Sequence, residues 1–389
     1  MASGPIVVFI CSATGPLITD EFDLSKTEFG WLSSTAFLTA ALASAVLGRA
    51  VDRVSPLTAV LVLHALSSAA LLIIGIMPSL LALTIGLALS GLVQAMGNPV
   101  TNRIVAMRVS PGARGAVMGL KQSGVQMSQL VAGVAAPPLA LLVGWSFSFI
   151  AALPIVALGA AFATLSLSRH ASSSLSTAGD RRSGGVPPTV WLLAAYAVLT
   201  GAGLQASVAY LPIFAHDALG WRVGIAGLTV SLVGAAGVCA RILWGHWTQS
   251  IAHIRIPLST VAAGGAVSIC LVMLTEWLDH TWLLWCAVVL FGLTGVAANV
   301  VVMVAVVGFA PVHELGRASG VLATGLFVGF ACGPASFGVI ADATDSYSVA
   351  WGTVVVLYVL ATSLAFYAGR DPRPGRRVSP SPAQREDLP

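Results

Sequence analysis

Apolar stretches long enough to cross a membrane follow one another along almost the whole chain. Only 9% of the 389 residues are charged and 57% are hydrophobic, whereas a soluble domain carries roughly 25% charged residues. A helix needs about 20 apolar residues to span the bilayer core, and all but the first stretch reach that length. These properties exclude a soluble fold and predict an all-α membrane protein with twelve transmembrane helices. The predicted spans are 4–20, 28–50, 56–76, 79–105, 115–141, 145–167, 189–214, 220–248, 256–275, 281–309, 314–341 and 347–369.

The basic residues are distributed unevenly between the two ends of these spans. With the N-terminus inside, every Lys and Arg except Lys26 and Arg222 falls on or near the inner face. Cytoplasmic loops carry an excess of Lys and Arg, so we expect a multi-pass protein of the cell (inner) membrane with both termini cytoplasmic. The net charge of +4 follows from these loops and the basic tail. The lipid bilayer is therefore an expected partner, and nucleic acid is not.

A polar stretch at 168–188 divides the spans into two groups of six. We predict an N-terminal six-helix bundle at 1–167, a cytoplasmic central loop at 168–188, a C-terminal bundle at 189–369 and a disordered tail at 370–389. The first span is short and lacks the charged n-region of a signal peptide, so we expect a short or misannotated N-terminus. The halves repeat glycines at equal intervals, at Gly115, Gly119 and Gly124 in the first and at Gly316, Gly320 and Gly325 in the second. Repeated halves are a common design of secondary transporters.

A short motif stands where the second span meets the first inner loop, reading Gly48-Arg49-Ala50-Val51-Asp52-Arg53. It resembles the signature loop of the major facilitator superfamily, with Ser55 in place of a second glycine. The resemblance implies two six-helix bundles that alternate access to a central site, with Gly48, Asp52 and Arg53 latching the inner gate. Arg103 and Arg114 are assigned to the same gate. The matching place in the second half has Gln249 instead of a carboxylate, which predicts a weaker latch.

Polar side chains recur on one face of several spans. The predicted substrate-binding residues among them are Gln94, Asn98 and Asn102 on span 4, Gln122 and Gln126 on span 5, Gln205 on span 7 and Asn299 on span 10. Polar groups are costly in lipid and usually face the bundle interior or a watery cavity. In the family that the chain resembles, spans 1, 4, 7 and 10 line the central path. The alternative is hydrogen bonding between helices without ligand contact.

Two cations lie within the inner third of their spans. Lys121 is six residues, about 9 Å, into span 5, and Arg103 is about 7.5 Å deep in span 4. Acidic residues are absent from the middle of every predicted span, so a buried cation suggests an anionic ligand. We therefore add Lys121 to the substrate-binding residues. The alternatives are snorkelling of either side chain to the inner surface and, for Arg103, pairing with Asp52.

These features favour a secondary transporter of a small solute, in the first place an organic anion moved together with a proton. The alternative is a proton-driven exporter of amphipathic, drug-like compounds, and a third possibility is a membrane receptor or scaffold. Phosphate loops, metal clusters and nucleophile–base spacings are absent from the sequence, so we expect no enzyme activity, metal or cofactor. A proton site could lie near the span ends, where Asp20, Glu21 and Asp342 are candidates, or on the substrate itself, since a carboxylic acid could bring its own proton.

Overall fold

The computed structural model describes residues 1–110, 113–167, 187–250, 253–278, 280–309 and 315–368. All regular structure in these ranges is helical. The helices are α1 Pro5–Ala13, α2 Gly15–Phe22, α3 Lys26–Arg53, α4 Pro56–Ile76, α5 Leu80–Arg108, α6 Arg114–Val143, α7 Trp145–Ile150, α8 Leu153–Leu167, α9 Pro188–Asp217, α10 Val223–Ser250, α11 Arg255–Leu278, α12 Trp282–Leu293, α13 Ala298–Phe309, α14 Leu315–Thr344 and α15 Tyr347–Ala368.

Three of the predicted spans are broken rather than continuous. The first bends by 68° between α1 and α2, because Pro16 lacks an N–H and its ring clashes with the carbonyl one turn earlier. The sixth consists of α7 and α8, and the tenth of α12 and α13, with Gly295 in the turn between them. Hydropathy averaged over a whole span predicts that the span exists and does not indicate a break within it.

The predicted all-α membrane fold of two six-helix bundles is confirmed. Within the described ranges, ten helical spans meet the length and composition of a membrane crossing, or eleven with the bent α1–α2 pair. Helix α3, with 28 residues, is the remaining long helix of the twelve-helix arrangement. We call α1–α8 the N-terminal bundle and α9–α15 the C-terminal bundle. The loop at 168–186 and the tail beyond residue 368 lie outside the described residues.

The bundles meet mainly through two helix pairs, α3 with α14 and α6 with α10, and α1 and α2 also touch helices of the C-terminal bundle. Small residues set how closely helices approach without a hydrophobic driving force between them. On α14, a Cβ added to Gly325, Gly329 or Gly333 would run into the backbone of α9, so this glycine ridge packs α14 against its neighbour in the same bundle. Large apolar side chains such as Leu142 and Phe162 remain exposed, as expected for surfaces that face lipid.

Helix α3 begins at a capping box formed by Ser25 and Glu28. The Ser25 hydroxyl accepts a hydrogen bond from the Glu28 N–H at 3.1 Å, and the Glu28 carboxylate accepts one from the Ser25 N–H at 2.9 Å. These bonds satisfy two N–H groups that the first turn leaves free. The start of α3 is thereby fixed at the place where, as described below, it meets α14.

Candidate substrate cavity and gates

A cavity lies between the two bundles and has an empty volume of ≈ 1300 Å³ when the solvent at its mouth is included. Helices of both bundles line it. Its apolar wall includes Val8, Phe9, Phe37, Leu204, Val208, Met303, Leu326, Phe327 and Phe330, and its polar residues are Gln94, Asn98, Asn102, Gln122, Gln126, Gln129, Gln205, Arg241, Asn299 and Ser319. The structure therefore brings all the predicted substrate-binding residues except Lys121 to one cavity wall. A cavity of this kind suits a solute with an apolar body and a few polar groups.

Lys121 stands behind two of the cavity-lining asparagines. Its Nζ donates to Asn98 Oδ1 at 3.3 Å and to Asn102 Oδ1. Gln122 Nε2 approaches the same Asn98 oxygen at 3.4 Å. This network joins α6 to α5 within the N-terminal bundle. The Lys121 ammonium is hydrogen-bonded to neutral amide oxygens and not to a carboxylate.

Arg241, on α10, is a second cation of the cavity and was not among the predicted site residues. Its Nε donates to Gln126 Oε1 at 2.9 Å, across the gap between the bundles. Its depth is the same signal that singles out Lys121, because Arg241 lies four residues, about 6 Å, inside Gly245, where the C-terminal bundle repeats the signature loop. In the sequence, Arg241 belongs to the basic residues on or near the inner face.

Two other glutamines of the cavity have incompletely satisfied amides. Nε2 of Gln129 and Nε2 of Gln205 are buried and have no hydrogen-bond partner among the described residues. Gln126 Nε2 lies 3.4 Å from Gln129 Oε1, so Arg241, Gln126 and Gln129 form a chain of polar contacts. Buried N–H groups without partners are costly, and a ligand with acceptor oxygens would satisfy them.

The predicted gating residues lie at one end of the molecule, beside the loop that follows α3. Arg103 donates from Nη1 to the carbonyls of Val51 and Val54, at 2.8 Å each. This holds the loop in place and favours a structural role. The side chains of Asp52 and Arg114 lie outside the described residues, so their predicted part in the gate stays a prediction. Arg53 is exposed.

This end, which we call the open end, is defined by Gly48, Gly119 and Gly320. A Cβ added to any of the three would have no neighbour within 4 Å in the part of the chain that the structure describes. A side opening between α3, α5, α9 and α14, with an empty volume of ≈ 1550 Å³ when open solvent is included, shares Gln94 and Asn98 with the cavity. The cavity is therefore reached from this end and from the flank between the bundles.

The opposite end, which we call the closed end, is defined by Lys26 and Asp342. The Asp342 carboxylate accepts hydrogen bonds from the backbone N–H groups of Lys26 at 3.2 Å and Thr27 at 2.7 Å, and Lys26 Nζ lies 4.0 Å from it. The Tyr210 hydroxyl donates to the Lys26 carbonyl, and the Tyr210 ring stacks on Phe337 at 4.4 Å between centroids. Side chains of the two bundles thus seal this end.

The other acidic residues considered as proton sites also lie at the closed end. Asp20 is 3.9 Å from His216 Nε2, and Glu21 accepts a hydrogen bond from Trp145 Nε1 at 2.6 Å. Carboxylates are absent from the described part of the cavity wall. The described residues also contain no group of three or more His, Cys, Asp or Glu side chains placed to hold a metal ion.

Comparisons with known proteins agree on the architecture. The family model described as Major Facilitator Superfamily matches residues 4–307 and 274–388. Relatives from two strains of Mycobacterium tuberculosis, CDC 1551 / Oshkosh and ATCC 25618 / H37Rv, are both named as uncharacterized MFS-type transporters. Each is 24% identical over 328 residues, which cover 82% of this chain and 71% of the relative.

Solved structures resemble the whole chain in fold. A bacterial homolog of the human lysosomal transporter Spinster, in an inward-facing and occupied conformation, has a TM-score of 0.74 at 16% identity and covers 95% of this chain and 94% of its own. A mutant of the nucleoside transporter NupG has a TM-score of 0.72 at 14% identity, with coverage of 94% and 98%. At these identities the likeness establishes the fold alone.

Proposed function

The chain belongs to the major facilitator superfamily, and from that premise we propose that it moves a small organic anion, together with a proton, across the inner membrane by alternating access. The observation that carries the proposal is the charge of the cavity. One cation of each bundle, Lys121 and Arg241, stands at or behind its wall, while carboxylates are absent from the described lining.

The energetics of a cation in the membrane favour an anionic ligand. A lysine or arginine at the centre of a membrane helix costs about 2.5–3.5 kcal/mol on the insertion scale, and less towards the helix end. Amide oxygens offset part of this cost, and the negative charge of a bound solute would offset more. Because aliphatic and aromatic side chains form most of the remaining wall, the preferred solute is a carboxylate with an apolar body.

The orientation follows from the distribution of charge. Arg53, Arg103 and Arg255 lie at the open end, whereas Lys26 and Arg222 lie at the closed end. The excess of positive residues supports a cytoplasmic open end, so this conformation would be inward-facing. Cysteines introduced at Ser173 and Ser379 should then resist an impermeant thiol reagent outside intact cells, and ready labelling of either would reverse the orientation.

The coupled proton has few possible carriers. With no carboxylate in the described cavity wall, the proton would travel on a carboxylic acid substrate or on Asp342, whose carboxylate joins the two bundles. We assign residues 1–167 and 189–369 to two units that rock against each other, with 168–188 as their cytoplasmic connection. Closing one end would then open the other.

Flux through the purified protein tests this proposal. Proteoliposomes should accumulate a radiolabelled member of a panel of monocarboxylates when an inward proton gradient is imposed, and the matching neutral amide should compete poorly. A protonophore should abolish accumulation. Uptake that depends on neither pH nor a protonophore would contradict proton coupling. Failure of every carboxylate to be transported would contradict an anionic substrate.

The side opening favours a second candidate, an exporter of amphipathic compounds. Trp191 and Val328 are exposed at this opening, which would let a solute enter from the lipid rather than from water. A lipophilic cationic dye that proton-loaded vesicles accumulate in exchange for outward-moving protons, with no carboxylate transported, would decide for this candidate.

A further inference from the structure

The bond between Arg241 and Gln126 is unusual in its position. Among the described residues, it is the one hydrogen bond that joins cavity-lining side chains of different bundles. It lies between α10 and α6, at a level where a solute in the cavity would meet both. A contact in this position must break or be exchanged when the bundles rearrange around a ligand.

The backbone around this bond is shaped to bring the two side chains together. A Cβ added to Gly237, one turn before Arg241, would meet Gln126 Cγ at 2.8 Å. A Cβ on Gly234 would meet Leu130 N at 2.6 Å and Gln126 O at 3.0 Å. Two glycines of α10 thus let α6 approach closely enough for the Gln126 amide to reach the guanidinium.

The guanidinium is left with most of its donors free. Arg carries five N–H donors in a planar fork, and one of them is used by Gln126; the described residues offer no second partner. The buried amide groups of Gln129 and Gln205 in the same cavity also lack an acceptor. The cavity therefore holds N–H donors without an acceptor at Arg241, Gln129 and Gln205, which an anionic ligand could satisfy.

We propose that Arg241 is the anion-binding residue of this cavity and that Gln126 takes the place of the anion in the empty transporter. This inference rests on the proposed function and deepens it. A carboxylate would engage the guanidinium fork through two parallel hydrogen bonds and would release the Gln126 amide, with Gln129 and Gln205 as further donors. Since the anion replaces a bond between bundles, its binding is linked to their rearrangement.

The site also specifies the class of anion. Lys121 lies five residues before Gln126 on α6, about 7.5 Å along the helix, and its Nζ is already held by two asparagines. Of the described side chains on the cavity wall, Arg241 alone carries a full charge, and it stands beside an apolar wall that includes Phe37 and Phe330. The solute is a monocarboxylate with an apolar body, rather than a dicarboxylate or a phosphate ester.

Binding to the purified full-length protein in nanodiscs tests the inference apart from transport. The probes are a panel of aliphatic and aromatic monocarboxylates, each with its neutral amide. Arg241→Gln should weaken binding of the bound carboxylate about 10- to 100-fold, or about 1.4–2.8 kcal/mol at 1.4 kcal/mol per decade. Arg241→Lys should recover only part, because an ammonium cannot form the fork. Arg255→Gln, at an exposed arginine of the open end, is the matched control and should bind as the wild type does.

A second variant covers the case in which Arg241→Gln does not fold. Gln126→Glu puts a permanent carboxylate against the guanidinium, so it should raise the thermal stability of the protein and weaken carboxylate binding together. Gln94→Glu adds the same charge to a cavity residue that contacts Ser90 instead, and should not stabilise the protein. Unchanged affinity in Arg241→Gln, or no stabilisation by Gln126→Glu, overturns the inference while leaving anion transport intact. Failure of all carboxylates to bind the wild type overturns both.

Discussion

The two ends of this transporter are built from the same helix pairs but are packed in opposite ways. At the closed end, a Cβ on Gly30 of α3 would strike the carbonyl of Pro334 on α14, and one on Gly338 would strike the carbonyl of Lys26. At the open end, a Cβ on Gly48 of α3 or Gly320 of α14 would meet none of the described residues within 4 Å. The same helices therefore carry glycines at both ends, and in this conformation the glycines are packed against the partner helix at the closed end only.

The second pair of helices repeats this difference. Near the closed end, Gly133 of α6 lies against Ser231 of α10, whose hydroxyl donates to the Leu130 carbonyl at 3.0 Å, and Gly227 of α10 lies against Pro137. At the open end, Gly119 of α6 has no neighbour within 4 Å of an added Cβ. Interfaces that close through glycines can form and separate without side chains interlocking, which is what a rocking motion needs.

The largest effect is expected from filling the closed interface. Gly338→Leu would drive a side chain into the backbone of α3, which cannot move aside. Overpacking typically costs 1–3 kcal/mol, so we expect the closed end to stay open and substrate flux to fall by about tenfold or more. Flux in proteoliposomes is the measurement.

The control for this variant is Gly352→Leu on α15, where an added Cβ meets nothing within 4 Å, and it should transport normally. A reporter cysteine at Ser33, which is buried, should become reactive in Gly338→Leu in an otherwise cysteine-free background. Normal flux in Gly338→Leu would mean that the closed end does not need this packing.

A smaller effect is expected from removing the charge that seals the closed end. Asp342→Asn leaves a neutral amide facing the first turn of α3, where a carboxylate at a helix N-terminus is worth about 1–2 kcal/mol. The equilibrium should shift towards opening of that end by about tenfold, seen as faster labelling of the cysteine at Ser33. Asp345→Asn is the matched control: Asp345 has φ 46°, which Asn tolerates well, so its labelling should not change.

The latch of the open end should matter less in this conformation, because that end is not packed. We expect Asp52→Asn to impair transport, since the loop must close the open end during each cycle, while the amount of protein in the membrane stays normal. Gln249→Asp in the other half should be milder. Unchanged flux in Asp52→Asn would mean that the loop has no gating role and is an ordinary turn, held by the two hydrogen bonds from Arg103 to its backbone carbonyls.

The sequence was sufficient for the fold because hydropathy and charge act over whole spans. Several local patterns each specify one kind of structure: apolar stretches of about twenty residues form membrane spans, and the Ser25–Glu28 capping box begins a helix. The glycines of α14 likewise indicate close helix packing. The breaks in the first and tenth spans are also local, but a proline or glycine in an apolar run predicts a bend only where neighbouring helices permit it. Pro334 lies within a continuous α14, whereas Pro16 begins a new helix.

The site was only partly predictable, since a polar stripe indicates an interior face without saying what the face meets. Gln94, Asn98 and Asn102 recur every four residues and reach the cavity together, as a helix dictates. The partnership of Arg241 with Gln126 joins residues 115 positions apart in the sequence, and no pattern within either helix encodes it. Likewise, no local pattern indicates that Asp342 accepts a hydrogen bond from the first turn of α3, because Asp342 and Thr27 are 315 residues apart in the sequence.

The smallest effect is expected at Lys121, and it separates the two cations of the cavity. Because Lys121 Nζ is held behind Asn98 and Asn102, its charge acts on a solute from a distance, whereas Arg241 contacts it. Lys121→Gln should therefore raise the apparent Michaelis constant for a monocarboxylate by only a few-fold, less than 1.4 kcal/mol, with near-normal expression, and Lys121→Arg should recover part of the loss. Measured beside Arg241→Gln in the same vesicles, a loss in Lys121→Gln that equals or exceeds the loss at Arg241 would make the lysine the primary anion contact. Normal transport in Lys121→Gln would mean that the lysine joins α5 to α6 and nothing more, and the case for an anionic solute would then rest on Arg241 alone.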